Sequence, residues 1–203
     1  MDSPTPSHSA RLITAIYLVG PSSAGKTTLC NALARTLGLP NEVHISEVAR
    51  TVMRERGFTR DDVGKLEMQK AIMEAQLKED RSARHYATKT REVCAGIVLS
   101  DRSGIDPLVY ALLKNDAAVA ESLATSPDFQ AALPDYRKST FILLHAIPDW
   151  MEDDGVRSVD DGSDCFHVFK RVLSELDIQF QELGESCRWL EERVGFVRRC
   201  ARM

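Results

Sequence analysis

The sequence has no long apolar run, no excess of positive charge and no patterned set of cysteines. No apolar run approaches the roughly 20 residues that a membrane-spanning helix needs, so we expect no membrane span. The net charge at pH 7 is −4 over 203 residues, which argues against a large surface for nucleic acid or for a membrane. The 43% hydrophobic and 28% charged residues are typical of a soluble globular protein.

The five cysteines show neither pairing nor metal-ligand spacing. An odd, scattered set is typical of reduced thiols in a cytosolic protein and argues against a structural zinc site. The first ten residues are rich in serine and proline and lack the apolar stretch of a secretory signal. Residues 1–10 are therefore predicted to be a disordered tail, and the protein is expected to be cytoplasmic.

Apolar runs that suit buried strands alternate along the chain with segments of helical periodicity. The strand candidates are 12–19, 43–46, 96–100, 140–147 and 178–183, and the helix candidates are 26–37, 47–56, 61–90, 107–115, 119–123, 166–176 and 188–202. This order predicts an α/β fold, a three-layer sandwich around a parallel sheet, in one domain over residues 11–203. The acidic segment 148–165 is predicted to be a lid, and the charges of 61–90 are predicted to form mostly a solvated face.

A phosphate-binding loop follows the first strand candidate. The residues Gly20-Pro-Ser-Ser-Ala-Gly-Lys-Thr-Thr28 match the pattern G-x-x-x-x-G-K-[ST]. Because glycine lets the backbone wrap tightly, consecutive amides can converge on a phosphate, and the dipole of the following helix adds to the attraction. Lys26 is expected to reach the β- and γ-phosphates of a nucleoside triphosphate, and Thr27 is expected to bind Mg²⁺. The predicted nucleotide-binding residues are Gly20, Ser22, Ser23, Ala24, Gly25, Lys26, Thr27 and Thr28.

A second polar cluster follows the apolar run of the third strand candidate. Asp101 comes at the carboxyl end of that strand, where parallel α/β sheets bind ligands. It is predicted to hold magnesium through water or to act as a base toward an attacking hydroxyl, the alternative being an ordinary strand-end or helix-cap aspartate. Arg102 is a candidate for contact with substrate or phosphate, or else a solvated surface residue. Asp106 precedes Pro107 and is a helix cap, a substrate ligand or both.

The residues Asp101-Arg-Ser-Gly104 also fit the short Asp-x-x-Gly pattern of regulatory GTPases. The chain contains no Asn-Lys-x-Asp motif, with which such GTPases read guanine. The sequence therefore does not support a standard GTPase, although it leaves GTP binding by other means open.

Five features in order resemble the NadR-like AAA ATPase family, whose bacterial type member carries a nicotinamide-riboside kinase domain. They are the phosphate loop and the motifs Glu47-Val-Ala-Arg50, Asp101-Arg-x-x-x-Asp106-Pro-Leu, Asp153-Asp-Gly-Val-Arg157 and Glu191-Glu-Arg193. The resemblance implies a nucleotide-kinase-like sheet of five strands in the order 2-3-1-4-5, and ATP as the phosphoryl donor. The family mixes small-molecule kinases with members of unknown substrate and with animal members that look like GTP- and lipid-binding regulators. It therefore does not fix the acceptor.

The same resemblance implies roles for residues outside the phosphate loop. In kinases of this shape, the edge that carries Glu47 and Arg50 faces the phosphate acceptor. Glu47 is expected to accept from a ribose hydroxyl and Arg50 to bind an acidic group, the alternative for Glu47 being a first-turn residue stabilised by the helix dipole. Arg157, in the lid, is expected to close onto the β- and γ-phosphates, or else to pair with the acidic side chains around it.

The leading hypothesis is a Mg²⁺-dependent kinase that transfers the γ-phosphate of ATP to a hydroxyl of a nucleoside-like or other small metabolite. The predicted residues are catalytic Lys26, Asp101 and Arg157, metal-binding Thr27 and Asp101, and acceptor-binding Glu47, Arg50, Arg102 and Asp106. The alternative is a nucleotide-dependent switch or NTPase that docks a protein or lipid partner. A kinase acting on nucleic-acid ends is disfavoured by the net charge of −4. The sequence leaves the oligomeric state open.

Overall fold

The chain folds around a parallel sheet, seen in a computed structural model that describes residues 13–89, 96–147 and 162–203. The strands are β1 (Thr14–Val19), β2 (His44–Ile45), β3 (Ile97–Asp101), β4 (Thr140–Leu144) and β5 (Phe180–Leu183). Within the described residues these strands form one sheet in the order β2-β3-β1-β4-β5, and each neighbouring pair is parallel. The predicted fold class and strand order are therefore confirmed.

Eight α-helices lie between and after these strands within the described ranges. They are α1 (Lys26–Leu37), α2 (Val48–Arg56), α3 (Leu66–Lys89), α4 (Asp106–Leu113), α5 (Ala117–Ala124), α6 (Pro127–Tyr136), α7 (Gly162–Glu175) and α8 (Leu190–Cys200). Short 3₁₀ turns at Asn41–Val43 and Arg60–Asp62 precede β2 and α3. No helix in the described part of the chain is long and apolar enough to cross a membrane.

The alternating side chains of β1 divide the core between the two faces of the sheet. Ala15, Tyr17 and Val19 belong to a cluster with α3, α4, α6 and α7, whereas Ile16 and Leu18 pack on the other face with α1 and α8. A strand that is covered on both faces has no solvent side, which is why its sequence is an almost continuous apolar run. The result is the predicted three-layer arrangement, with a smaller cluster between α2 and α3.

The long helix predicted for residues 61–90 begins later than expected. A 3₁₀ turn occupies Arg60–Asp62, and α3 starts only at Leu66, two residues after a glycine that disfavours helix. Most charged side chains of this segment are exposed, as predicted. Asp80 is buried and Arg84 is half-buried against the sheet, so part of the charge on this helix points into the core.

Helix α6 lies in a stretch for which the sequence predicts no element. Its two prolines weaken the helical pattern of its sequence. Pro127 occupies the first turn, where a missing N–H costs nothing, but Pro134 removes a backbone hydrogen bond from the interior. Phe129 and Leu133 are buried in the core, and tertiary packing of this kind outweighs a weak local propensity.

Gly20 ends β1 at a position that excludes a side chain. Its φ is 135°, and an added Cβ would lie 2.6 Å from the carbonyl oxygen of Leu144. We expect Gly20→Ala to lower the free energy of unfolding by about 3–5 kcal/mol, from backbone strain plus overpacking. Gly38→Ala is the matched control, because φ there is 61° and no atom lies within 4 Å of an added Cβ. Urea denaturation of Gly38→Ala should show a loss of only about 1 kcal/mol in the free energy of unfolding. Equal losses in the two variants would show that the close approach of residue 20 to Leu144 is unimportant.

Candidate nucleotide-binding site

After Gly20, the loop between β1 and α1 has two further residues with a positive φ just before the start of a helix. Ser23 has a φ of 59°, and Gly25, with a φ of 79°, occupies the N-cap of α1. Left-handed residues in such loops turn successive N–H groups toward a common concavity. The first N–H groups of an α-helix are not used by the helix itself, so this end of α1 suits an anion.

The side chain of Lys26 folds back into this loop. It is 4% exposed, and its ammonium donates to the carbonyl oxygen of Pro21. Burying a full positive charge is costly, and a phosphate is among the groups that compensate it most strongly. The position of Lys26 therefore favours a phosphate ligand in the loop.

Thr27 and Asp101 are in contact although 74 residues separate them. The Thr27 hydroxyl donates to Asp101 Oδ2 over 2.5 Å. The contact follows from the topology, because β1 and β3 are neighbours and Asp101 aligns with Leu18, just before the phosphate loop. Asp101 is buried, and its Oδ1 has no hydrogen-bond partner among the described residues.

The contact between Thr27 and Asp101 fits Mg²⁺. Magnesium prefers oxygen ligands, keeps several waters, and usually takes one or two protein groups together with substrate phosphates. In P-loop NTPases the ion is held by the loop Ser or Thr and by an aspartate of the Walker B type. The described ranges contain no group of three or more His, Cys, Asp or Glu side chains that could hold a metal. Phosphate and water would therefore have to complete the coordination.

Arg102 is held in a strained loop by an acidic side chain that follows it. Its φ of 83° is left-handed, and its Nη1 donates to Asp106 Oδ1 over 3.0 Å. Burial lowers the pKa of this guanidinium, but Tyr110, Asp106 and Asp101 outweigh burial and raise it above its ordinary value. Asp106 Oδ2 also accepts from the N–H and the hydroxyl of Ser103. Asp106 therefore fastens its own loop, and Ile105 occupies the N-cap position of α4.

Glu47 and Arg50 pair at the start of α2. Glu47 has a φ of 58° and makes no cap bond to the helix, and Arg50 Nη1 lies 3.1 Å from its Oε2. The two side chains line a small recess together with Thr27, Asp101 and Arg102. The structure thus brings the residues predicted to bind the acceptor next to those predicted to bind the metal.

A cleft of about 510 Å³ opens beside the phosphate loop, a volume that suits a small-molecule ligand. One wall is the loop with the start of α1, and another is the start of α8 with the residue Arg188 before it. The basic side chains that line the cleft are Lys26, Arg50, Arg102, Arg188 and Arg193. A concentration of positive charge in one cleft suits a polyphosphate.

The sequence predicts no role for Arg188 and Arg193, although both line this cleft. Arg193 is 2% exposed, and its Nη1 donates to the carbonyl oxygen of Ala24 in the phosphate loop over 3.4 Å. Burial lowers the pKa of Arg193. Two signals point to it in the sequence. Arg193 belongs to the family motif Glu191-Glu-Arg193, and it shares a face of α8 with Leu190 and Val197, so that a charge interrupts an apolar stripe.

Arg157 and most of the predicted lid, residues 148–161, lie outside the described residues, as does the tail predicted for residues 1–10. The catalytic role of Arg157 therefore stays a prediction. The remaining part of the predicted lid, residues 162–165, forms the start of α7.

Comparisons with known proteins agree with the motifs. Residues 15–193 match the model of the family AAA_28, described as an AAA domain. NadR protein in complex with NAD and AMP-PNP superposes with a TM-score of 0.70 and 22% identity, covering 95% of this chain and 50% of that chain. NadR protein in complex with NR gives a TM-score of 0.71 and 21% identity, covering 95% and 52%. The chain thus spans about half the length of these NadR chains.

No curated protein sequence matches the chain. The family match covers most of the chain, from the first strand to Arg193 in the last helix. The predicted family resemblance is confirmed. The chain belongs to the AAA domain family AAA_28, and its fold is that of a P-loop NTPase.

Proposed function

We propose that this chain binds ATP with Mg²⁺ in the cationic cleft and transfers the γ-phosphate to a hydroxyl of a small nucleoside-like metabolite. The contact between Thr27 and Asp101 carries the proposal, because Asp101 borders the recess that also holds Glu47. A phosphate loop alone suits any NTPase. A buried carboxylate between the phosphate loop and a second recess suits transfer to a second substrate.

The donor side consists of the phosphate loop and the cleft. The amides at the start of α1 and the charges of Lys26 and Arg193 bind the phosphates. Thr27 would hold Mg²⁺ directly and Asp101 through water, and the bound ion would supply charge stabilisation at the phosphate oxygens. The solved complex of NadR with AMP-PNP supports ATP as the donor.

The acceptor side is the recess beside Asp101 together with a second, inner pocket, and the two share Ala49 and Arg102 as lining residues. The inner pocket is mostly apolar and is built from α2, α3, α4 and the segment before α3, with Ala49, Val63, Met68, Ile72, Pro107 and Tyr110 among its lining residues. An entrance with carboxylates and an apolar end suit the chemistry of a sugar hydroxyl attached to a flat ring. The two parts have volumes of only about 30 and 20 Å³, so the proposal requires them to widen when the acceptor binds. The solved complex of NadR with NR supports an acceptor of this kind.

The transfer step follows from these positions. The hydroxyl oxygen of the acceptor forms a bond to the γ-phosphorus, the bond from that phosphorus to the β–γ bridging oxygen breaks, and ADP leaves. Asp101 Oδ1 accepts the hydroxyl proton. Lys26 and Arg102 neutralise the charge on the oxygens of the transferred group.

Incubation of the protein with ATP, Mg²⁺ and a panel of nucleosides and other hydroxylated metabolites tests this function. We expect one class of acceptor to give a phosphorylated product by mass spectrometry, in equal amount to the ADP released. If no acceptor raises ADP release, the kinase is rejected and the NTPase or switch is favoured. Capture of a partner with ADP and with a non-hydrolysable triphosphate then tests the switch, which requires a difference between the two.

Glu47→Gln should weaken binding of the acceptor and leave ATP unaffected. Loss of one charge-assisted hydrogen bond is expected to raise the KM for the acceptor about 10-fold. The dissociation constant for ATP, measured by calorimetry, should change less than about twofold. Glu42→Gln, in the exposed 3₁₀ turn before β2, removes the same charge and should change neither quantity. A weaker affinity for ATP in Glu47→Gln would contradict the assignment of this side chain to the acceptor.

A further inference from the structure

A polar stripe on α3 faces the core beneath the catalytic loop, which we define as residues 101–106. The stripe consists of Gln76, Asp80 and Arg84, spaced four residues apart on one face of the helix. Gln76 and Asp80 are buried. Burying a polar group is costly unless it forms hydrogen bonds. Three polar side chains on the core-facing side of one helix therefore require hydrogen-bond partners.

The stripe bonds to the chain on both sides of Asp101. Gln76 Nε2 donates to Ser100 Oγ over 3.0 Å, immediately before Asp101. On the other side, the N–H of Gly104 donates to the hydroxyl oxygen of Tyr136 over 2.9 Å. That hydroxyl in turn donates to Asp80 Oδ2 over 2.6 Å.

Tyr136 has a defined orientation in this arrangement. An ionised carboxylate only accepts, so the phenol donates to Asp80 and its oxygen is left to accept from Gly104. Burial raises the pKa of Asp80 to about 7, while the hydrogen bond from Tyr136 and the charge of Arg84 oppose this shift. The ring of Tyr136 is also fixed by edge contacts, at 5.1 Å from Tyr17 and 5.7 Å from Phe141 between ring centroids.

The catalytic loop has a conformation that needs support from outside. Arg102 has a positive φ, which is strained for a residue with a side chain. Gly104 is packed so closely that an added Cβ would lie 2.9 Å from both Leu77 and the hydroxyl of Tyr136. A strained loop keeps its conformation only where several surrounding contacts hold it in place. The bond from Gly104 to Tyr136 is one such contact, and it comes from a helix that lies 32 residues further along the chain.

We propose that Tyr136, anchored on Asp80, is a positioning residue that holds residues 101–106 in the geometry needed for phosphoryl transfer. The expected effect of Tyr136 on kcat rests on the function proposed above, whereas its effect on the conformation of the loop does not. Tyr136 lines neither the phosphate cleft nor the acceptor recess, so it acts through Asp101 and Arg102.

Tyr136→Phe tests the proposal, with Tyr17→Phe as the matched control. The Tyr17 hydroxyl is also buried in this aromatic cluster, accepts from Arg84 Nη2 over 3.1 Å and bonds to Asp80, but it does not contact the loop. At pH 8, where Asp80 is ionised, we expect Tyr136→Phe to lower kcat about 10- to 100-fold. The affinity for ATP should change little, and exchange of the Gly104 amide, followed by NMR, should accelerate. Tyr17→Phe should shift the urea midpoint by a similar amount and leave both kcat and Gly104 exchange unchanged.

Equal kcat values in the two variants, or a Gly104 amide that stays protected in Tyr136→Phe, would overturn the proposal. A wild-type chain that phosphorylates no acceptor would reject the proposed function instead, and Gly104 exchange would then decide the role of Tyr136 in the loop. If Tyr136→Phe does not fold, Asp80→Asn and Asp80→Leu replace it. Asparagine keeps an oxygen that can accept from Tyr136, and leucine does not. The asparagine variant should therefore have the higher kcat and the slower exchange of the Gly104 amide. Identical values in these two variants would contradict the proposal.

Discussion

Lys26→Ala should weaken ATP binding by at least about 100-fold, because it removes the buried ammonium from the phosphate loop. The lysine is almost fully buried, and its ammonium donates to the carbonyl oxygen of Pro21 within the loop. Its loss removes one of the positive charges that would neutralise a bound triphosphate. Isothermal titration calorimetry with ATP and Mg²⁺ measures the effect.

The matched control for Lys26→Ala is Lys70→Ala. Lys70 is 63% exposed on α3 and lies 4.0 Å from Glu74, a surface pair of little energetic value. This variant should bind ATP as the wild type does. Both variants should keep their free energy of unfolding within about 1 kcal/mol of the wild type. Unchanged ATP affinity in Lys26→Ala would show that the loop does not bind the phosphates.

Asp101→Asn should lower kcat for phosphoryl transfer about 10²- to 10⁴-fold, the range expected for loss of a general base. The amide keeps the size of the side chain and can still accept from Thr27, so the fold and the affinity for ATP should change little. Steady-state kinetics with the best acceptor measures kcat. Asp128→Asn, on an exposed residue of α6 that faces Arg81 at 3.7 Å, should leave kcat unchanged.

Magnesium titration separates the two chemical roles of Asp101. If its carboxylate serves mainly to hold the ion, excess Mg²⁺ should restore the rate of Asp101→Asn. If Asp101 Oδ1 accepts the proton of the acceptor, saturating Mg²⁺ should leave the rate low. We expect the second result, because Oδ2 is already engaged by Thr27 and Oδ1 has no hydrogen-bond partner among the described residues.

The parts of the site that were predictable have local signals. The phosphate loop is recognised from the spacing of its glycines and its lysine between a strand and a helix. All of these signals lie close together in the sequence. Asp101 is recognisable because it ends a buried apolar run. The strand order required the family resemblance, since alternating elements predict a parallel sheet but do not order its strands.

What could not be predicted is which distant residues come into contact. Arg193 reaches the phosphate loop across 169 positions, and Tyr136 meets Asp80 across 56. Asp80 looks like one more charge on a long charged helix, and only the packing of α6 against α3 reveals that it faces inward. Helix α6 itself is hidden by its prolines, so the Tyr136 contact could not be anticipated.

The reach of Arg193 from α8 to Ala24 has a consequence for how the protein is made. During synthesis the phosphate loop leaves the ribosome long before α8, so a nascent chain exposes a loop whose far wall does not yet exist. Triphosphate captured in the finished cleft would then favour the state in which the first and last helices are docked.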